Sequence, residues 1–311
     1  MSLHKIDNRE EKLTTKKITK CLEISLFVYL FINIVAFTVS AEMVIKIPRP
    51  ESDQDTRFRY ETELLRQALE KTRTEFGDYR IEMAKNKMTE KRMRAELKEG
   101  IRINVNHLTL MTMLNQDYAI PILVPTLKGT LGYRVFLIHK EDRQRFADIK
   151  TLEQFKKLVV GQGQGWGDVA IFEHNGIKVL KGASYEGLFS MLAAKRFDYF
   201  SRGIGEALPE YQARKGKIPE LWVEESILLI YPYPAFFYVH KNFPKIADRL
   251  NRGLHGMVDD GSFDKLFMRY NRDAIQKAKL KGRKVFRIET PNMPIYVPLY
   301  DPRLWYDPIS F

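Results

Sequence analysis

A glycine-rich run, Gly161–Gly167 (GQGQGWG), is the most distinctive local feature of the sequence. Glycine has no side chain, so the backbone N–H groups of such a run can approach a ligand closely, and a helix starting there favours negative charge. Gln162 and Gln164 would add neutral hydrogen bonds, and Trp166 could stack on a planar or apolar ligand or pack between two parts of the protein. The spacing is not the dinucleotide-binding pattern G-x-G-x-x-G. The run therefore predicts a ligand-holding loop.

Arg202 is the second candidate for binding chemistry. A guanidinium pairs with planar anions through two parallel hydrogen bonds. Arg202 directly follows a predicted strand, Phe197–Ser201, and α/β proteins bind ligands at the ends of their strands. The alternative interpretation is an internal salt bridge to Glu206, one helical turn further along.

The hydrophobic pattern predicts alternating strands and helices that would position these residues. The first set of predicted elements is a strand at Val44–Ile47, a helix at Tyr60–Thr72, a strand at Tyr79–Met83, a helix at Thr89–Glu99 and a strand at Ile101–Val105. A second set follows, with a strand at Tyr133–His139, a helix at 151–158, a strand at Ile177–Leu180, a helix at Tyr185–Ala194 and a strand at Phe197–Ser201. Strands at Ile227–Ile230 and Phe236–Val239 and helices at Pro244–Met257 and Ser262–Tyr270 complete the pattern. This order predicts an α/β fold with mostly parallel sheets.

Composition excludes several classes of protein. With 311 residues, 44% hydrophobic content and one cysteine, the chain is neither mainly disordered nor built on disulfides. Only one long apolar run exists, so a protein with several membrane spans is excluded. The net charge is +12, but Lys and Arg are interleaved with acidic residues, and we expect solvated helix faces and no nucleic-acid partner.

The N-terminus has the layout of a secretory signal peptide. A basic segment is followed by an apolar run, Ile24–Ser40. Near the end of this run, Val39 and Ala41 occupy the positions that small residues take before a cleavage site. We therefore predict a signal peptide at residues 1–41, cleavage after Ala41 and export to the periplasm. An uncleaved membrane anchor is the alternative.

The order of elements and three segments resemble the type II periplasmic solute-binding proteins, most closely the polar amino-acid-binding (family 3) branch of ABC transporter substrate-binding proteins. The segments are Tyr60–Thr72, SYEGLFSMLAAKRFDYF at 184–200 and DGSFDKLFMRY at 260–270. The resemblance implies two α/β lobes, each a mostly parallel sheet flanked by helices. Two hinge strands would cross between the lobes near Leu131–Arg134 and Tyr231–Ala235, and the lobes would close around a solute.

On this resemblance, residues 42–132 and 236–311 form lobe 1 and residues 133–235 form lobe 2. The C-terminal tail from Pro291 is rich in proline and aromatic residues, so it should be extended and packed against a lobe.

The resemblance also implies where the ligand lies. Thr112 matches a threonine of the family, whereas the carboxylate-binding arginine would fall near Asn115 and the ammonium-binding aspartate at Arg202-Gly203. Both groups that define an α-amino-acid site are therefore missing at their expected places, and a small polar or anionic solute is expected. The predicted ligand-binding residues are Thr112, Arg134, Gln162, Gln164, Trp166, Tyr185 and Arg202. No cofactor, metal or catalytic group is expected.

The predicted function is capture of a solute in the cleft between the lobes, for an ABC-type permease or a sensor, by a monomer that is not an enzyme. Two alternatives remain open. One is a dehydratase-like enzyme on the same scaffold, with Glu206 and His107 as its only plausible acid and base. The other is an interaction protein without a ligand, whose cleft is filled by its own side chains.

Overall fold

A computed structural model describes residues 42–52, 55 and 57–309. The predicted signal peptide, residues 1–41, lies outside the described residues. No helix in the described part of the chain is long and apolar enough to cross a membrane.

The first group of strands is formed mostly by the N-terminal part of the described chain. It consists of β1 (Met43–Arg49), β2 (Tyr79–Lys87), β3 (Val105–Thr109), β4 (Ala119–Ile122) and β11 (Ala235–His240). β1 and β2 pair in parallel, and β11 pairs antiparallel with β3 on one side and β4 on the other. Asn104 joins β1 to the start of β3, because its N–H donates to the Lys46 carbonyl (2.9 Å) and its Oδ1 accepts from the Lys46 N–H (2.7 Å). The spatial order is therefore β2-β1-β3-β11-β4.

The second group is a larger sheet. Its strands are β5 (Tyr133–His139), β6 (Val159–Gly163), β7 (Lys178–Gly182), β8 (Tyr199–Gly203), β9 (Leu221–Val223), β10 (Ile227–Ile230) and β12 (Lys284–Arg287). They lie in the order β12-β10-β5-β8-β6-β7, with β9 pairing with the outer part of β5. β5 is antiparallel to β8 and β10, whereas β6 is parallel to both β7 and β8. The core of this sheet, β7-β6-β8-β5-β10, repeats the order of the first group.

Helices flank both groups. They are α1 (Phe58–Lys71), α2 (Arg73–Phe76), α3 (Glu90–Glu99), α4 (Leu110–Met113), α5 (Arg143–Ala147), α6 (Leu152–Phe155), α7 (Asp168–His174), α8 (Tyr185–Ala193), α9 (Ile204–Arg214), α10 (Pro244–Asp259) and α11 (Ser262–Lys277). Short 3₁₀ helices lie at Thr130–Gly132, Lys140–Asp142 and Pro302–Leu304. The predicted α/β class is confirmed.

Local sequence explains why α1 and α3 form where they do. The apolar residues of α1 recur every three or four positions, so that Leu64, Leu65, Ala68 and Leu69 are all buried on one face. α3 begins after Thr89, whose side chain accepts a hydrogen bond from the Arg92 N–H, and ends at Gly100 in the left-handed conformation.

Two segments pass side by side between the two groups of strands. The Tyr231 N–H donates to the Gly132 carbonyl (3.1 Å), and a Cβ at Gly132 would lie 2.0 Å from the Tyr231 carbonyl oxygen. The segments therefore pack against each other through their backbones, which only glycine at 132 allows. They lead directly into β5 and β11, the strand in each group that runs antiparallel to its neighbours.

The C-terminal region contributes to both groups. β12 pairs in parallel with β10 of the larger sheet, although residues 236–311 were assigned to lobe 1 from the sequence. In the tail, Trp305 lies against Gly129 and the Tyr306 N–H donates to the Lys128 carbonyl (2.9 Å), while Ile295 is fully exposed. The end of the tail is therefore packed against the 128–129 turn, and Val297, which is 2% exposed, is packed with Met93 and Leu97.

The crossing of α1 and α10 gives a test of this packing. A Cβ at Gly253 would lie 2.1 Å from the Ala68 carbonyl oxygen, so Gly253→Ala should lower the free energy of unfolding by about 1–3 kcal/mol. Gly256→Ala, in the same helix, is the matched control, since its Cβ would meet only the flexible end of Lys71 at 3.1 Å. Gly256→Ala should be neutral or stabilising by up to about 1 kcal/mol, because alanine favours the helix. Urea denaturation measures both, and equal effects would contradict the close crossing.

Candidate functional site

A cavity of about 110 Å³, with an open mouth, lies between the two groups of strands. Residues of both groups line it: Glu51, Arg57, Phe58, Glu61, Glu90, Met93, His107, Leu108, Thr109, Leu127, Leu131, Trp166 and Glu206. The first group supplies most of the wall from the β1–α1 loop, the start of α1, the start of α3 and β3. The second group supplies Trp166, from the β6–α7 turn, and Glu206, from the first turn of α9.

Contacts between the two groups surround this cavity. The Tyr185 N–H, at the start of α8, donates to the Glu51 carboxylate (3.0 Å), and the Ser52 hydroxyl donates to Glu186 (2.5 Å). A third contact joins α3 to the β6–α7 turn, where the Arg94 guanidinium donates to the Gly165 carbonyl (3.2 Å). The two groups of strands are therefore drawn together around the cavity.

Arg57 is the one cation among the described residues that line the cavity. Its guanidinium makes two 2.7 Å hydrogen bonds to the carboxylate of Asp55. It also lies over the ring of Tyr185, 4.2 Å from the centroid, and 5.6 Å from the centroid of Trp166. Arg57 therefore belongs to the closed wall, with its charge balanced by Asp55.

Two glutamates of the cavity wall have strongly perturbed acidity. Burial raises the pKa of Glu61 from 4.5 to about 8, and it raises the pKa of Glu90 from 4.5 to about 7. Loss of hydration disfavours an ionised carboxylate, and neither group gains enough opposing charge nearby to compensate. At neutral pH, both groups hold a proton for much of the time.

His107, on β3, lies beside Glu61 of α1. Burial lowers the pKa of this imidazole to about 4, so the ring is neutral at physiological pH. Its Nε2 is 2.6 Å from the Thr126 hydroxyl, and its Nδ1 is 3.9 Å from the Glu61 carboxylate. His107 therefore supplies no positive charge to the cavity.

Arg202 lies behind the cavity, within an ionic network. Its guanidinium donates twice to Glu210, at 2.7 Å each, and once to Glu206, at 2.9 Å. Arg202 and Glu210 are almost fully buried, and Tyr185 donates a further hydrogen bond to Glu210 (2.8 Å). The predicted contact of Arg202 with an anionic ligand stays a prediction, and these contacts favour the alternative, an internal salt bridge.

Arg134 is also engaged by the protein itself. It pairs with Asp168 at 2.8 Å and donates to the backbone carbonyls of Leu131 (2.9 Å) and Ser201 (2.8 Å). Its exposed fraction is only 1%. Arg134 therefore ties β5 to α7 and β8 at the crossing and does not line the cavity.

The glycine-rich run has a different local structure from the one predicted. Its first part, through Gly163, is β6, and only Gly165 (φ 87°) has the left-handed backbone of a tight turn. A Cβ at Gly161 would lie 2.2 Å from the ring of Phe197, and one at Gly163 would lie 2.3 Å from the ring of Trp166. Glycine is needed at 161 and 163 because aromatic rings pack directly on the strand.

The two glutamines of this run do not line the cavity. Gln162 is fully buried and donates to the Ser201 carbonyl (3.3 Å). Gln164 is exposed, and its N–H donates to the Gly182 carbonyl (2.8 Å). Trp166 is the one residue of the three that faces the cavity, where its ring stacks on Phe200 at 6.0 Å.

Tyr185 and Thr112 lie just behind the wall. Tyr185 is 1% exposed, contacts Arg57 through its ring and donates an N–H to Glu51. The Thr112 hydroxyl is 2.6 Å from that of Thr109 and donates to Glu90 at 3.2 Å. Both residues therefore position cavity groups.

Sequence reasoning missed the acidic wall of the cavity. Glu51, Arg57 and Glu61 lie in and just after a polar loop, and Glu90 is the first residue of a helix, so each is in a place where a charged residue is ordinary. The available signal was position along the chain, because the β1–α1 loop follows the carboxyl end of a parallel strand, where α/β proteins bind ligands. The described residues contain no group of three or more His, Cys, Asp or Glu side chains arranged to hold a metal ion.

No protein-family model matches the chain, and no curated protein matches it in sequence. Solved structures do match it. An ancestral arginine-binding protein bound to arginine superposes with a TM-score of 0.52 at 17% identity, covering 73% of this chain and 97% of that one. A His/Glu/Gln/Arg/opine family-binding protein from Silicibacter pomeroyi, in complex with lysine, gives 0.52 at 10% identity, covering 73% and 96%. A histidine kinase sensor domain similar to periplasmic binding proteins gives 0.51 at 14% identity, covering 74% and 96%.

These likenesses establish the fold. The chain has the two-lobed α/β architecture of the type II periplasmic binding proteins, as the resemblance predicted. The cavity described above lies between its lobes.

Proposed function

We propose that this protein is a periplasmic solute-binding protein that captures a small, polar, amino-acid-like solute in the cavity between its lobes. One observation carries the proposal: a cavity with a wall from each lobe is enclosed by contacts between the lobes, with an aromatic ring and several carboxyl groups facing inward. Concave sites with a largely apolar wall and a few converging polar groups are typical of small-molecule binding. The solute would pass to an ABC-type permease or be reported to a sensor, and the binding protein would act as a monomer without a nucleic-acid partner.

The comparisons support this proposal through the fold. The similar structures include amino-acid-binding proteins and a sensor domain. An amino-acid-like solute is consistent with the missing family residues at 115 and 202 if this chain holds its ligand with different groups. The carboxyl groups of the first lobe are the groups that it offers instead.

The contacts favour binding over the enzyme alternative. Glu206 accepts from Arg202 and from the Gly203 N–H (2.8 Å), and the resulting low pKa makes it a poor base, while His107 is hydrogen-bonded to Thr126. A dehydratase-like reaction would therefore lack a free acid–base group at these two positions.

Trp166 provides the test of the binding site. Residues 42–311 form one compact unit, so this chain can be purified and titrated with single amino acids, diamines and dicarboxylates. A solute that binds should raise the melting temperature by several degrees at about 100-fold excess over its Kd, and it should change the tryptophan fluorescence.

The fluorescence change should be lost in Trp166→Phe and kept in the control Trp222→Phe. Trp222 is a suitable control because it lies on β9 and packs against Arg143, away from the cavity. A change that survives Trp166→Phe and disappears in Trp222→Phe would place the solute elsewhere. A panel without any effect on melting or fluorescence would contradict the proposed function.

A further inference from the structure

The cavity has an excess of acidic groups over cations. Of the ionisable residues lining it, Arg57 is paired with Asp55, and Glu206 is paired with Arg202. Glu51, at the mouth, accepts the Tyr185 N–H. The other two carboxyl groups of the wall are those of Glu61 and Glu90.

Neither remaining carboxyl group has a cation of its own. The side chain of Glu61 is only 12% exposed, and its Oε2 is buried without a hydrogen-bond partner among the described residues. Glu90 accepts one hydrogen bond, from the Thr112 hydroxyl at 3.2 Å. Within the described part of the chain, no Lys or Arg nitrogen lies within 4.0 Å of either carboxylate, and the nearby imidazole of His107 is neutral.

Keeping these two carboxyl groups ionised costs free energy unless a cation pairs with them. A buried carboxylate without a partner loses hydration and gains nothing in return, so the group takes up a proton instead. The surrounding charges do not remove this cost. Those that act on Glu61 are Arg57, Asp55 and Glu206, and those that act on Glu90 are Arg57, Arg94 and Asp168.

We propose that the bound solute carries an ammonium or guanidinium group at the end of an aliphatic chain, separate from any α-ammonium, and that this terminal cation pairs with Glu61 and Glu90. The protons that the two carboxyl groups hold in the free protein leave when it binds. This inference rests on the proposed function and assigns the chemical class of its ligand. Phe58, Met93 and Leu108 line the same cavity, so the cationic group is carried on an aliphatic chain that packs against them.

Charge and atoms balance in this exchange. In each carboxyl group the O–H bond breaks, and its proton passes to solvent through the open mouth of the cavity. The cation donates N–H···O hydrogen bonds to the resulting carboxylates. The cavity therefore gains one positive charge from the solute and loses up to two as protons, and the affinity should rise with pH while these groups are protonated in the free protein.

The experiment is calorimetric titration of the 42–311 chain with matched pairs of solutes. L-Arginine is compared with L-citrulline, and L-lysine with L-norleucine, because the second member of each pair keeps the α-ammonium and α-carboxylate but has an uncharged side chain. Putrescine and L-glutamate complete the set. At least one solute with a cationic side chain should bind at least about tenfold more tightly than its partner with an uncharged side chain, as expected for a charged hydrogen bond. Its affinity should increase between about pH 6 and about pH 8, and buffers of different ionisation enthalpy should reveal proton release.

Glu61→Gln and Glu90→Gln remove the proposed charges without changing the shape of the side chains. Each substitution should weaken binding of the cationic solute by about tenfold and reduce the dependence of its affinity on pH. Binding of the solute with the uncharged side chain should change less. Glu153→Gln is the control, because that side chain is 79% exposed on α6 and should leave binding unchanged. The melting temperature of each variant checks that it is folded.

Failure of this inference differs from failure of the proposed function. If the solutes with uncharged side chains or L-glutamate bind as tightly as the cations, or if neither glutamine variant weakens the cations, the ligand class is wrong and the binding function stands. If no solute of either panel binds the unaltered protein, the proposed function fails, and this inference fails with it.

Discussion

Replacing Arg202 with methionine should lower the free energy of unfolding by about 3–5 kcal/mol, because it removes the cation from a buried ionic network. Glu210, which is 0% exposed, would keep only the hydrogen bond from the Tyr185 hydroxyl. Glu206 would keep the Gly203 N–H and its more distant contact with Arg134, at 3.8 Å. Urea denaturation at neutral pH measures the loss.

The double variant Arg202→Met/Glu210→Gln should recover part of this stability, since it no longer buries an uncompensated carboxylate. Arg145→Met is the matched control. Arg145 also bonds two carboxylates, those of Asp142 and Asp198, but its side chain is 48% exposed, and its loss should cost about 1 kcal/mol or less. If Arg202→Met were as mild as Arg145→Met and abolished solute binding, Arg202 would be a ligand contact, as first predicted from the sequence.

The free energy of unfolding should fall by roughly 2–3 kcal/mol between about pH 6.5 and pH 8.5 in the protein without solute. In this window the carboxyl groups of an unfolded chain are ionised, whereas Glu61 and Glu90 are still protonated at its lower end, because their pKa values are about 8 and about 7. As the pH rises through these values, both are forced to ionise inside the folded protein. His107 acts in the opposite direction, but only below its unfolded pKa of about 6.5.

Glu61→Gln isolates the larger share of this effect. Because the amide does not ionise, the variant should lose no more than about 1 kcal/mol over the same window, which is the share of Glu90. Glu153→Gln should keep the full slope of the unaltered protein, since its side chain is 79% exposed. Urea denaturation across the pH series measures all three, and parallel slopes for the two variants would show that Glu61 is ionised at neutral pH.

The accuracy of the sequence predictions follows the strength of the local signal. Strands Tyr133–His139 and Ile227–Ile230 were predicted with their observed bounds, because each is a short run of mostly buried apolar residues. The strand predicted at Ile101–Val105 instead begins at Val105, and Ile101 is 70% exposed. Alternation alone misplaced it, since the pairing with β11 decides where that strand starts.

Among the candidate site residues, the sequence identified Trp166 as a cavity residue from its position in the glycine-rich run. It also offered both interpretations of Arg202, and the contacts favour the internal salt bridge. Glu61 and Glu90 could not be found in this way. They are 29 positions apart on two helices, and in the sequence each resembles an ordinary solvated carboxylate.

The sequence by itself determined the α/β class and the order of most elements, because these depend on hydrophobic periodicity and on capping residues along the chain. Three of its segments also carry the resemblance to a two-lobed binding fold. The tertiary structure alone decided which charges meet. Arg57 pairs with Asp55, Arg202 pairs with Glu210, and Glu61 lies in the cavity wall with no Lys or Arg partner among the described residues. The physical reason is that the energy of a charge depends on its burial and its partners, and folding sets both by joining distant parts of the chain.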